Sequence, residues 1–177
     1  GGDVQDVDYA KLRERLLADQ QVLDWTGPKP YRGQSAAELP GLVLDSEAIT
    51  NRGDFGTGWV DGHTTPGYVG KNYLHDDNAD KGQKRFVFTL PLKEAGKYEV
   101  RVAYTAHGNR ATNVPVTVAA ADGEHRFVVN QKKKPAGDGL FHKLDVLDFT
   151  PDKPAVITIE TKGTDGYVIV DAVQLLP

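Results

Sequence analysis

From Gly41 to the C-terminus the chain is a succession of short apolar or alternating runs, each ended by turn-forming residues, with no helical stretch between them. Runs of period two bounded by Gly, Pro, Asn and Asp read as strands joined by turns. A parallel pair needs a crossover of roughly a dozen residues or more, usually a helix. Parallel α/β folds are therefore excluded, and the sequence predicts an all-β antiparallel sandwich or barrel. Leu42-Val43-Leu44 opens it, and Gly58-Trp59-Val60, Tyr68-Val69 and Asn72-Tyr73-Leu74 are short strands among glycine-rich loops. Arg85–Leu90 and Tyr98–Tyr104 alternate, with the turn Glu94–Lys97 between them. Val114–Val118 and His125–Val129 flank Asp122-Gly123, a strong hairpin signal. Pro115 cannot donate to a ladder, so the first of this pair is expected at an edge or a bulge. Leu144–Phe149, Val156–Ile159 and Tyr167–Leu176 bring the expected number of strands to about ten.

Ahead of this region, Tyr9, Leu12, Leu16 and Leu17 fall on one helical face while Lys11, Arg13, Glu14 and Arg15 turn mostly outward. Asp8 is the expected N-cap and Trp25-Thr26-Gly27-Pro28 the stop. One amphipathic helix cannot bury its stripe alone, so it packs either on the domain that follows or on a neighbouring one. Gly27 through Pro40 reads as a linker or an extended strap. The expected division is a helix and strap over 1–40 and a β-sandwich over 41–177. The chain begins with Gly rather than Met and reads as a piece of a longer protein, with any export signal or catalytic domain outside it.

Composition removes several chemistries. With no cysteine there is no disulfide, thiol nucleophile or thiolate metal site. A net charge of −4 with the two signs intermixed gives no pull on a polyanion, so no nucleic-acid partner is expected. No apolar run approaches the ~18 residues of a membrane span. Ser35 and Ser46 are the only serines, and neither sits in a Gly-x-Ser-x-Gly elbow. The five histidines show no His-Glu-x-x-His spacing. Gly56-Thr57-Gly58-Trp59 supplies two of the three glycines of a dinucleotide fingerprint and precedes no helix, so no flavin or nicotinamide is held by that motif. The chain itself is read as non-catalytic, although paired carboxylates could still serve a small polysaccharide hydrolase or lyase.

Two acidic groups could hold calcium, which prefers several oxygen ligands. One is Asp45 and Glu47 after the first strand with Asp171 in the last; the other is Asp76, Asn78 and Asp80. The second set has its glycine one residue late and lacks an acid at loop position 12, where Val87 stands, so the plainer reading is an Asx-rich turn whose side chains cap their own backbone. For a saccharide ligand the informative residues are aromatics stranded in polar loops, because sugar C–H faces stack on rings while amides and guanidiniums bond hydroxyls. These are Trp59, Tyr68 and Tyr73, with Asn109, Arg110 and Asn113 in a second loop. Each could instead be a core ring or a loop brace; a cluster on one edge would decide for ligand binding. Lys132-Lys133-Lys134-Pro135 reads as a solvated turn.

Gly67–Tyr73 (GYVGKNY), Gly96–Tyr104 (GKYEVRVAY), Asn109–Val116 (NRATNVPV) and Gly166–Val173 (GYVIVDAV) resemble the golvesin C-terminal, or xanthan lyase-like, β-sandwich domain, from about Leu42 to the end. The segment from Val4 to Trp25 looks like the connector after the catalytic part of some bacterial FAD-dependent oxidoreductases that carry this domain. The resemblance implies a jelly-roll-like fold similar to galactose-binding modules. It further implies an accessory, carbohydrate-binding role in a larger secreted, periplasmic or envelope-associated bacterial enzyme. An upstream domain would hold any FAD, and the alternative role is docking to that domain with no ligand of its own. In such modules an acid near the first strand and one in the last share a structural calcium, the places of Asp45, Glu47 and Asp171. Asp45-Ser46-Glu47 departs from the usual Ala-Glu pair. No catalytic residue is implied.

Overall fold

The fold was analysed in a computed structural model that describes residues 10–11, 14–15, 31–50 and 57–177. Contacts divide the chain into Gly1–Pro30 and Tyr31–Pro177. In the first unit Ala10, Lys11, Glu14 and Arg15 are helical. The apolar stripe expected at Tyr9, Leu12, Leu16 and Leu17 and the stop at Trp25–Pro28 lie outside the described residues.

The second unit is an antiparallel β-sandwich whose described residues form eleven strands: β1 (Leu42–Asp45), β2 (Val60–Gly62), β3 (Tyr73–His75), β4 (Arg85–Leu90), β5 (Gly96–Ala103), β6 (Val114–Ala120), β7 (Gly123–Val129), β8 (Phe141–Phe149), β9 (Ala155–Glu160), β10 (Ile169–Val170) and β11 (Ala172–Leu176). One four-stranded sheet has the order β1-β11-β5-β8 and the other β4-β9-β6-β7; a third, short sheet runs β10-β3-β2. Every strand ladder is antiparallel, as the lack of crossover helices requires.

The alternation read from the sequence becomes the core. In β4, Phe86, Phe88 and Leu90 point inward between exposed Arg85, Val87 and Thr89, and they pair with Ile159, Ile157 and Ala155 of β9. Val114, Val116 and Val118 of β6, Val100 and Val102 of β5, and Val173 and Leu175 of β11 join the same cluster, so it draws on both large sheets. The Glu94–Lys97 turn therefore passes from one sheet to the other, because β4 and β5 are not neighbours.

Three local expectations shift. Tyr68-Val69 is irregular rather than a strand, held by bonds to loops. The last apolar run is split into β10 and β11 at Asp171. Pro115 lies in an inner strand, between β9 and β7, not at an edge. It is tolerated there because it is the second residue of β6, and pairing with β9 begins only at Val116.

The segment after Pro30 lies along this sandwich. Gly33 N–H donates to Gly70 O and Gly70 N–H to Gln34 O, both at 2.9 Å. The approach requires a glycine at 33, where a Cβ would fall 1.8 Å from Tyr68 O. Further on, Gln174 Nε2 donates to Pro40 O at 2.8 Å, and Ala36 and Leu39 pack with Val43, Val69, Ala103, Phe141 and Ala172 in a second, small apolar cluster. This cover explains why Ala172 and Gln174 are buried on what would otherwise be the solvent face of β11.

Candidate functional site

Four of the six residues expected to meet a ligand converge. Tyr68 is anchored by its phenol, which donates to Tyr31 O at 2.8 Å, and its ring meets Tyr31 edge-on at 4.7 Å and Tyr73 at 5.7 Å. The guanidinium carbon of Arg110 stands 5.5 Å from the Tyr73 ring centroid. Arg110 is 5% exposed and donates to neutral acceptors: Nε to Thr105 O (3.1 Å), Nη1 to Asn109 Oδ1 (3.0 Å), and Nη2 to Thr65 Oγ1, Thr105 Oγ1 and Tyr73 Oη (3.2, 3.2 and 3.4 Å). Burial by itself would raise the Tyr73 phenol, but bonds with Thr64, Thr65 and Arg110 outweigh it and hold the group below its usual range.

The cluster borders a groove of about 720 Å³ whose walls include Tyr31, Thr65, Tyr104, Thr105, Lys132 and Lys134. Tyr104 donates from its phenol to Lys133 O at 2.9 Å, fastening the lysine loop to the end of β5. Burial pushes that phenol up to about 12, so it remains a donor at any physiological pH.

The other two residues stand elsewhere. Trp59 is a core ring, 8% exposed and edge-on to Phe86 at 6.0 Å. Asn113 braces a loop: Nδ2 donates to Gly163 O (2.8 Å) and Oδ1 accepts from Asp165 N (3.0 Å). Tyr31, Thr65, Tyr104 and the two lysines were not among the expected ligand residues. Only the interruption of the proline-containing strap by an aromatic at Tyr31 hints at one of them in the sequence.

A second site lies at the end of β1. Asp171 is fully buried and its carboxylate accepts from Val69 N at 3.0 and 3.3 Å. Asp45 is buried beside it, pairing in register with Ala172, and its Oδ1 accepts from Glu47 N at 2.9 Å. Glu47 is exposed and meets Lys71 Nζ at 3.2 Å. Asp45 and Glu47 line a pocket of about 460 Å³ with Arg32, Gly70 and Lys71. Burial drives Asp171 well above the usual carboxylate range, the Val69 amide opposes this, and the charge of Asp45 adds to it. Burial likewise raises Asp45, against the bond from Glu47.

The Asp76–Gly82 loop is a structural brace. Asp76 is completely buried; Oδ1 accepts from Asn78 N (3.0 Å) and Val168 N (2.9 Å), and Oδ2 meets the Lys81 ammonium at 2.6 Å. Asn78 and Asp80 are exposed, with left-handed φ of 51° and 53°, and Asp80 faces Lys84 at 3.8 Å. Asp76 thus spends its acceptors on the protein, as in an Asx turn. Among the described residues no three His, Asp or Glu side chains stand together in metal-binding geometry, and no helix is long and apolar enough to cross a membrane.

Comparison with known proteins identifies relatives of the sandwich. The golvesin C-terminal domain profile matches residues 42–177. The xanthan lyase of Bacillus sp. strain GL1 is 37% identical over 145 residues, which is 78% of this chain and 15% of that protein. The solved Paenibacillus xanthan lyase superposes with a TM-score of 0.68 at 35% identity, over 76% of this chain and 12% of that one. A family 35 carbohydrate binding module from an environmental isolate shares the fold, with a TM-score of 0.51 at 15% identity over 76% of this chain and 92% of the module. The chain spans less than a sixth of either xanthan lyase.

Proposed function

The chain belongs to the golvesin C-terminal domain family, and from that premise we propose that it is a non-catalytic, carbohydrate-binding accessory domain of a larger secreted or envelope-associated enzyme that acts on polysaccharide. The observation that carries this reading is the groove beside the tyrosine–arginine cluster. Tyr31, 42% exposed, brings an aromatic ring to its wall, and Gln34 and Thr65 bring hydrogen-bonding groups beside it. An apolar face flanked by a few fixed polar groups suits a pyranose ring, whose C–H surfaces are apolar and whose rim is hydroxylated. The relatives named xanthan lyase and the shared fold of a carbohydrate binding module support it. In affinity electrophoresis against a panel of neutral and acidic polysaccharides, at least one gel is expected to retard the wild-type domain, and Tyr31→Ala is expected to abolish the shift while leaving the far-UV spectrum intact. A folded domain that no polysaccharide retards overturns the proposal.

The same reading extends to calcium at Asp45, Glu47 and Asp171, although the three do not close on one point in this structure: Asp45 and Glu47 would supply the side-chain oxygens near Gly70, Asp171 would lie behind Asp45, and backbone oxygens and water would complete the shell. Their oxygens are the donors a hard cation takes. Asp45 and Glu47 both turn toward Gly70, where a Cβ would fall 2.4 Å from Asp45 Oδ2 and 3.5 Å from Glu47 Oε2. A bound cation would add positive charge beside Asp45, whose charged form Lys71 already favours slightly, and beside the buried Asp171. Asp171→Asn tests this. The folded-state pKa of Asp171 is raised, so ionisation costs the wild type stability as pH climbs past the unfolded value of ~3.9 toward the folded one. In chelator, urea midpoints of the variant should therefore gain steadily on wild type from about pH 4 upward. Calcium at neutral pH should then stabilise wild type and leave the variant unchanged. Parallel pH curves would refute the buried ionisation, and equal response to calcium the metal site.

A further inference from the structure

Resting on that carbohydrate reading, we infer that the groove selects a saccharide bearing carboxylates, held by Lys132, Lys134 and the positive charge of Arg110 behind its wall. The chain carries a net charge of −4, yet this groove runs against that balance. Lys132 and Lys134 line it, are exposed, and form no salt bridge with any described residue. The acid on the groove wall, Asp138, is already committed: Oδ1 accepts from Leu140 N at 2.8 Å and Phe141 N at 3.0 Å, and Oδ2 faces Arg101 Nη1 at 3.8 Å. Asp165, whose pKa the charge of Lys132 helps to lower, is bonded to Thr112 through both its oxygens.

Behind Thr65 and Thr105 lies the Arg110 guanidinium, almost fully buried and, among the described residues, bonded to neutral oxygens only. A buried cation without a carboxylate is left uncompensated, and an anion in the adjoining groove would offset part of that cost. The bonding pattern also sets the polarity of the wall. Thr65 Oγ1 accepts from Arg110 Nη2 at 3.2 Å and from Tyr73 Oη at 3.5 Å, so the hydroxyl proton of this groove-lining residue remains available to donate. The lysines are held in place from beneath, since Tyr104 bonds the backbone of Lys133 and Pro135 is buried. Two lysine ammoniums at the rim, a hydroxyl donor on the wall and a fixed guanidinium field behind form a site for carboxylates displayed along a sugar chain.

The experiment is affinity electrophoresis and titration calorimetry of the whole chain with polygalacturonate, alginate and hyaluronan, each also in carboxyl-reduced, neutral form, and with dextran sulfate as a charge control. At least one carboxylated polymer is expected to bind about tenfold or more tightly than its reduced form, a difference of about 1.4 kcal/mol. Lys132→Gln/Lys134→Gln should remove that difference, while Lys133→Gln, on the same loop but not in the groove wall, should keep it. If reduced polymers bind as well as acidic ones, the carbohydrate reading stands and the charge selection fails. If no polymer in either form binds, both fail together. Dextran sulfate binding as tightly as the best carboxylated polymer, with Lys133→Gln weakening it as much as the double variant, would mean unspecific ion exchange and overturn the inference.

Discussion

Asp76→Ala is expected to destabilise the domain by about 3–5 kcal/mol, the range for breaking a buried ion pair from one side. The carboxylate is completely buried, and its three contacts tie its own loop, through Asn78 N and the Lys81 ammonium, to Val168 N just before β10. Removing it strands the Val168 amide without an acceptor, a loss of about 1–3 kcal/mol by itself. Lys81 is a quarter exposed and keeps its bond to Gly166 O, so part of its charge can return to water and the total should fall toward the lower end of the range. Asp76→Asn retains an acceptor for the amides and should cost less than half as much. Urea unfolding at neutral pH measures both. A loss below about 1 kcal/mol for the alanine variant would show that the brace is replaceable, and destabilisation seen only when calcium is present would restore this loop as a metal site.

Phe88→Ala should cost about 3–5 kcal/mol, from lost apolar transfer plus the cavity left behind. Phe88 is fully buried, lies 4.9 Å from the ring of Phe86 and pairs with Ile157 across β4 and β9. Its neighbours are strand residues with little freedom to collapse into the gap. Val87, one position away and 39% exposed on the opposite face, provides the control: Val87→Ala should change the urea midpoint little. Comparable losses at 87 and 88 would contradict the register of β4.

These two residues mark the limits of what the sequence discloses. Phe88 is legible because strand side chains alternate faces with a period of two, so Arg85–Leu90 announces its buried face without reference to any other segment. The hairpin at Asp122-Gly123 is legible for the same local reason, although the left-handed φ, +132°, falls on Gly123 while the loop is formed by Ala121 and Asp122. Asp76 is legible only as an oxygen-rich turn. Its partner Val168 stands 92 positions along the chain, and no spacing rule connects the two.

The candidate site shows the same division. Tyr68, Tyr73, Asn109 and Arg110 could be singled out because aromatics and amides in polar loops need a reason to be there. Trp59 comes from the same glycine-rich region and satisfies the same description, yet it is a core ring against Phe86. Lys132 and Lys134 read as part of an ordinary solvated turn until Tyr104, nearly thirty positions earlier, fastens that turn beside the strap.

By itself, then, the sequence determined the all-β class, the placement of most strands, their inward faces and the chemistries that a cysteine-free chain lacks. The tertiary structure decided which loops meet: strap with Tyr68, Thr65 with Arg110, Asp45 with Asp171, lysine turn with β5. The physical reason lies in the range of the interactions. Strand alternation is a property of local backbone geometry repeated every second residue. The groove is made by side chains carried on loops whose positions follow from the order in which distant strands pair, and that order is set by the packing of the whole core.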